Sequence, residues 1–464
     1  MRRCFALRGI AQTVQKDNFA LSRLSNGMRI LTCDDGSGMC GVGFFCLNAT
    51  KFEQPSTAGA AAVLESLALM DNAIYNEAEL AKVIGCLGNT FKVTNNKEAM
   101  GTMVMAPRYH VNEALSLLNG ICLHPSLNRD VFNEAKMKTL EQTKYFYQDA
   151  TRVCFELIHQ AAWSGVGLGR DQNPSAEELE RLSLEQFTEF HARYTTPARS
   201  VIAATGITDH EAFALECEKR LEFSNTADPP AQILAPYTGG SRLVQQTEPP
   251  ESMKKFQEKS LTHIGLCFQG FPIHHEDYYI ASTIQTLLGG GNSFSSGGPG
   301  KGMQTKLYRE VLRKEGWIHG IECITAWYSD GGLVGLYASA PHEWTQHLLH
   351  VATHQMASIA CRIDDSYVQM AKNQLLSQLV LLGESREQLL HDMGFNMVIH
   401  DHVTTAREMM EGTSAVNLAA IKRVCREMVE KPITLAVFGD TSKIPPHEQL
   451  EQHIRASFKK QNQP

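Results

Sequence analysis

Two β-rich runs, RSVIAATGIT (199–208) and PITLAVFGDT (432–441), stand half a chain apart and share one design. Each follows a helix-like run and a proline (Pro197, Pro432), and each ends near a glycine (Gly206, Gly439). The stretches that lead to them share an order too. Residues 21–222 read as strands (RILTCD, GVGFFCLNA), a small-residue helix at 56–70, further helices, RSVIAATGIT, and the helix HEAFALECEKRL. Residues 259–464 open on the strand THIGLCFQGF and pass through a helix at 278–288. Helices at 366–380, 386–399 and 415–430 follow, before PITLAVFGDT. With 464 residues the chain is too long for one core. The repeat predicts an α+β fold of two homologous domains, each a mixed or antiparallel β-sheet packed with helices. The Pro-, Ser-, Thr- and Glu-rich stretch 223–258 reads as the linker between them.

The first 20 residues stand apart. MRRCFALRGIAQTVQK carries Arg2, Arg3, Arg8 and Lys16 with no acid, and Leu7, Ile10, Ala11 and Val14 fall on one helical face. That is the composition of a mitochondrial targeting segment, expected over 1–20. Asn26-Gly27 between strand-like runs predicts a hairpin at the start of the folded part. The 12 cysteines form no CxxC pair, and Cys46 and Cys267 sit in apolar runs, so they read as reduced, buried small side chains. A net charge of −7 argues against nucleic acid and is compatible with cationic partners. No uninterrupted apolar stretch is long enough for a membrane helix.

The stretch GGGNSFSSGGPGKG (289–302) holds seven glycines in fourteen positions. A phosphate-binding loop needs a glycine five residues before Gly300 and a hydroxyl after Lys301; Ser295 and Gly302 stand there instead. A dinucleotide fingerprint fails at Phe294 and Met303, and a serine-hydrolase elbow fails at Ser295. The residues that follow, MQTKLYREVLRKEG, predict a basic amphipathic helix with Leu307, Val311 and Leu312 inward and Glu310 paired to Lys314. On the residues alone, 289–302 is equally a mobile linker or a binding loop.

The run GGGNSFSSGGPGKGMQTKLYREVLRKEGWIHG (289–320) resembles the glycine-rich loop of a subunit from the pitrilysin-type zinc peptidases that process mitochondrial presequences. LSNGMRILT, AGAAAVLESLALM, FELIHQAAWSGVGLGR, YTTPARSVIAATG, WYSDGGLVGLYASA and GESREQLLHDMG resemble further landmarks of that family. The resemblance covers most of the chain from about residue 21. It implies a heterodimer in which a catalytic beta subunit holds zinc and a loop-bearing subunit helps hold basic, amphipathic presequences. Gly289, Gly290, Gly291, Asn292, Ser293, Phe294, Ser295, Ser296, Gly297, Gly298, Pro299, Gly300, Lys301 and Gly302 are then the expected substrate-binding residues, the glycines for mobility and Phe294 for apolar contact. Glu384 and Glu411 are candidate acidic contacts in the second half. The same resemblance allows an alternative, a structural core subunit of the respiratory cytochrome bc1 complex.

Catalysis in the family uses H-x-x-E-H, two histidines one turn apart on zinc with a glutamate that activates the bound water, and a downstream glutamate as third protein ligand. Aligned on Leu64-Glu65, the histidine positions are Ala62 and Ser66 here, and the third-ligand position falls near Gln142, with Glu141 beside it. Alanine offers no donor, and a neutral hydroxyl and an amide are poor zinc ligands. The expectation is a chain with no cofactor and no catalytic residue of its own, zinc lying in the partner, and Glu65 an ordinary helix residue. His347, His350 and His354 read as a solvated helix face, His400-Asp401-His402 form a cluster given no chemistry, and His274-His275 read as a loop.

Overall fold

The computed structural model describes residues 10–16, 18–34, 36, 38–88, 90–224, 234, 236–246, 260–292, 303–359, 361 and 363–461. Residues 1–9, most of the expected linker and 293–302 lie outside that set.

The repeat seen in the sequence is a repeat of sheets. In the first unit, strands β1 (Ile10–Lys16), β2 (Phe19–Leu24), β3 (Arg29–Cys33), β4 (Met39–Cys46), β5 (Thr90–Asn95), β6 (Met100–Pro107) and β7 (Ser200–Thr205) assemble in the order β1-β2-β3-β7-β4-β6-β5. In the second, β8 (Gly240–Gln245), β9 (Leu261–Gln269), β10 (Gly290–Asn292), β11 (Gly320–Trp327), β12 (Gly332–Pro341) and β13 (Ile433–Gly439) assemble as β10-β11-β12-β9-β13-β8. The echoing runs are β7 and β13, and they hold matching places. Each pairs in parallel with one neighbour (β3 or β8) and antiparallel with the other (β4 or β9). The terminal glycines match as well. A Cβ at Gly206 (φ +71°) would lie 2.2 Å from the Met39 carbonyl oxygen, and one at Gly439 (φ +138°) 2.6 Å from Thr262 Cα. In both sheets this inner strand leaves its ladder by brushing the first residues of its antiparallel neighbour, which only glycine permits.

Each sheet is covered on both faces by helices, so the central strands are buried runs without alternation, such as β7 and β12. The covering helices do not respect the expected boundaries at 222 and 259. The compact units are Met1–Thr143, Gln172–Ile233 and Leu381–Thr404, against Lys144–Asp171, Leu234–Val380 and Thr405–Pro464. Helix Arg386–His400, from the second half of the sequence, packs Leu390, Met393, Phe395 and Met397 on the first sheet around Phe45. Gly394 makes this possible, because a Cβ there would meet the Phe45 ring at 2.1 Å. Helix Ala150–Ala162, from the first half, packs Cys154, Leu157 and Ile158 on the second sheet. Gly265 of β9 leaves the space that the Ile158 side chain fills.

Several expectations are corrected. Residues 10–16, read as part of a helical face, form β1, paired antiparallel with β2 from Ile10↔Leu24 to Lys16↔Phe19; the ladder bonds of this hairpin outweigh a weak helical spacing. The expected linker contains β8 at 240–245, an outer strand whose exposed, polar residues concealed it. The small-residue helix is Ala60–Leu67, shorter than 56–70. The basic run 303–316 forms helix over 306–312 alone, its last five residues (Tyr308–Leu312) π-helical. Leu307 and Val311 are buried as expected, but Glu310 pairs with Lys306 at 2.8 Å rather than with Lys314. The hairpin at Asn26-Gly27 is present, with Gly27 at φ +92° and the Met28 amide donating to Asn26 Oδ1. Eight of the described cysteines, Cys46 and Cys267 among them, are buried thiols.

Candidate functional site

Two places carry the functional expectations, and they lie in different units. The first is the helix Ala60–Leu67. It has no side-chain cap of its own; the buried carboxylate of Glu53 accepts from the Gly59 and Ala61 amides at 3.1 and 2.8 Å. An anion at a helix N-terminus satisfies the orphan amides and the helix dipole together. Positions 62 and 66 follow one turn apart, and helix Arg129–Phe146 runs beside them.

Ser66 meets Gln142, the third expected ligand position, with its hydroxyl donating to Gln142 Oε1 at 3.0 Å. Its Oγ also lies 2.7 Å from Thr139 Oγ1, and Thr139 in turn reaches the carbonyls of Ala135 (2.8 Å) and Ala62 (3.5 Å). Lys138 Nζ donates to the Ser66 carbonyl at 3.4 Å. The three positions aligned from sequence therefore do converge. What converges is a methyl group, a hydroxyl and an amide, closed into a hydrogen-bonded network with an ammonium beside it. This donor set does not fit zinc, which takes imidazole, thiolate or carboxylate and is repelled by a nearby cation. Glu65 is the one carboxylate of the motif. Burial raises its pKa above the ordinary carboxylate range, opposed by a 3.4 Å hydrogen bond from Asn95 Nδ2.

The second place is the entrance to the glycine-rich stretch. Helix Tyr278–Leu288 stops at Gly289, whose φ of +57° turns the chain and whose Cβ would sit 2.3 Å from Thr305 Cγ2. Gly290, Gly291 and Asn292 then form β10, paired with Glu322, Ile321 and Gly320 of β11. Gly290 has φ +104°, and a Cβ there would fall 2.2 Å from the Ile321 carbonyl oxygen. Mobility was the expected reason for Gly290 and Gly291. The structure gives another for Gly290: close backbone approach within a sheet. Ser293, Phe294, Ser295, Ser296, Gly297, Gly298, Pro299, Gly300, Lys301 and Gly302 lie outside the described residues.

The remaining candidates fall where side chains are solvated or otherwise engaged. His347, His350 and His354 are exposed on helix Thr345–Ala357. Asp401 caps helix Arg386–His400 and pairs with Arg29 at 2.9 Å. Glu384 is exposed, and Glu411 pairs with Arg407 at 3.5 Å. A residue the sequence reading missed is Glu322. It stands on β11 beside Gly290 and Tyr337 in register and lines a cavity of about 270 Å³ with Gly291 and Asn292. The available signal was one acid inside the apolar run GIECITAW.

Two family models match the chain: Insulinase (Peptidase family M16) over residues 37–172 and the Peptidase M16 inactive domain over 181–375. Among curated relatives, the mitochondrial-processing peptidase subunit alpha of Neurospora crassa is 24% identical, covering 90% of this chain and 84% of that protein. The human subunit of the same name is 25% identical, with 94% and 85% covered. Among solved structures, a chain of Complex III2 from Candida albicans, Inz-5 bound, superposes with a TM-score of 0.80 at 18% identity. It covers 94% of this chain and 99% of that one, and this shows a common fold. With two M16 models spanning more than half its length and a two-sheet α+β fold to match, the chain belongs to peptidase family M16.

Proposed function

We infer that this chain is the non-catalytic, substrate-holding subunit of a heterodimeric zinc endopeptidase that removes presequences from imported mitochondrial proteins. The carrying observation is the closed Ser66–Gln142–Thr139 network where family chemistry would need zinc ligands. In this reading the beta partner supplies the zinc and the water it activates. This chain supplies binding energy for the substrate, and the glycine-rich stretch 289–302 is its contact. Relatives named for the alpha subunit of that enzyme, aligned over nearly the whole chain, support the assignment. So does the basic, acid-free start of the chain, which fits a mitochondrial destination. Presequences are basic and amphipathic, so an acidic chain with apolar side pockets is a suitable counterpart.

Deleting 293–300 from the reconstituted heterodimer tests the reading. KM for a presequence peptide should rise, or cleavage cease, with the dimer intact by size-exclusion chromatography. Unchanged kinetics would remove the loop from substrate binding. A second reading, a core subunit of the respiratory bc1 complex, rests on the fold shared with the Complex III2 chain. No helix among the described residues is long and apolar enough to cross a membrane, which suits either assignment. Fractionation separates them: co-purification with cytochrome b supports the core subunit, and recovery with an H-x-x-E-H homologue in the matrix supports the processing subunit.

A further inference from the structure

The cavity beside β10 has an unusual charge inventory. Among the described residues that line it, Glu322 is the one acid, and none is a lysine or arginine. Among the described residues no hydrogen-bond donor or cation reaches the Glu322 carboxylate, and burial alone raises its pKa. A half-buried carboxylate without a partner is unfavourable to fold around, which marks a place where a partner arrives from outside.

The sheet register explains why the space stays open. The row across the strands reads Gly290, Glu322, Tyr337, Gly265, and the next reads Asn292, Gly320, Ser339, His263. Glu322 therefore has glycines on the neighbouring strand (Gly290) and two residues before it on its own strand (Gly320), so neither of those positions sends a side chain over it. The far wall is rigid and uncharged. Tyr337 Oη lies 2.7 Å from His263 Nδ1 and 2.9 Å from Thr151 Oγ1, and its ring stacks on Phe155 at 5.7 Å. Burial pushes His263 down to about 4, so near neutral pH it adds no positive charge against a cation. Leu261 and Phe438 give apolar contact. At about 270 Å³ the cavity is smaller than a drug-sized pocket and holds one long side chain rather than a stretch of peptide.

We propose that this cavity is a subsite for a single basic side chain of the bound presequence, its methylenes lying on the apolar wall and its guanidinium or ammonium pairing with Glu322. The proposal rests on the reading that the chain binds basic presequences, and it assigns the contact to Glu322 rather than to Glu384 or Glu411. The substrate would thus reach beneath the first residues of the glycine-rich stretch.

A double-substitution cycle on the heterodimer tests it. The probes are an arginine-containing presequence peptide and a series in which each arginine in turn is glutamine. Glu322→Gln, which keeps the shape, should raise KM for the parent peptide about tenfold with kcat unchanged. For one member of the series the variant should show no further loss, which identifies the arginine that occupies the cavity. Its Tm should equal or exceed that of the wild type, since an unpaired carboxylate is removed. Equal losses across the whole series, no loss at all, or a lowered Tm would overturn the proposal. If the wild-type heterodimer does not cleave the parent peptide, it is the functional reading that fails, not the subsite.

Discussion

Polar groups at positions 66, 139 and 142 are treated in the opposite way to the polar group at 322. In the first unit, Ser66, Thr139 and Gln142 satisfy one another at 2.7–3.0 Å, and nothing is left to bind. In the second, Glu322 is held half-buried beside a cavity with no partner among the described residues. Buried polar atoms are ordinarily paired, so a closed network records a site given over to stability, and an open carboxylate records a site kept for something else. On the proposed reading the second unit carries the substrate contact, although the family's chemistry is placed on the helix of the first.

The largest expected effect comes from reopening the closed site. Ala62→His, Ser66→His and Gln142→Glu together restore two imidazoles one turn apart and a carboxylate beside them. The isolated triple variant, checked for folding by circular dichroism, should bind one zinc per chain in equilibrium dialysis. Its affinity should exceed that of the wild type by on the order of 10³-fold. No gain would show that position 142 does not face the pair closely enough to complete a ligand set.

Damage to the open site comes next. Gly290→Val places a branched side chain against the Ile321 carbonyl oxygen at a positive φ. It should cost about 1–3 kcal/mol in denaturant unfolding and raise KM with little change in kcat. A stability loss with unchanged KM would detach β10 from substrate binding. Ser66→Ala removes the hub of the network and should cost roughly 1 kcal/mol, limited because the Gln142 amide reaches water.

The smallest effect is at Glu65. Its folded carboxyl binds a proton more tightly than the unfolded one, so stability is lost as pH rises through the unfolded carboxylate range and stays lost above the folded pKa. Glu65→Gln removes that dependence. It should raise Tm slightly at neutral pH, equalise the two proteins at acid pH, and leave cleavage by the heterodimer unchanged. A fall in kcat would make Glu65 part of the chemistry.

Much of this was legible in the sequence because the signals were local. The paired β-runs marked matching inner strands, and their closing glycines marked the tight exits at Gly206 and Gly439. The convergence of 62, 66 and 142 followed from helix spacing and family alignment. The helix exchange did not show. Amphipathicity tells that helix Arg386–His400 buries a face, but not which sheet receives it, and the complement of Gly394 to Phe45 spans 349 positions. β8 was missed for a related reason: it is an outer strand with exposed residues, and its ladder to β13 is long-range; β1 was missed because its spacing read as a helical face. Glu322 escaped because an acid in an apolar strand becomes informative only when its neighbours across the sheet are known to be glycine.

The central claim is that this chain holds a substrate another subunit cuts. The most direct test is cleavage of a fluorogenic presequence peptide by the purified chain, by its H-x-x-E-H partner and by the two mixed, with the zinc content of each sample measured. The account predicts cleavage by the mixture alone, with zinc in the partner. Zinc at one per chain in the isolated wild-type protein, together with cleavage, would contradict it.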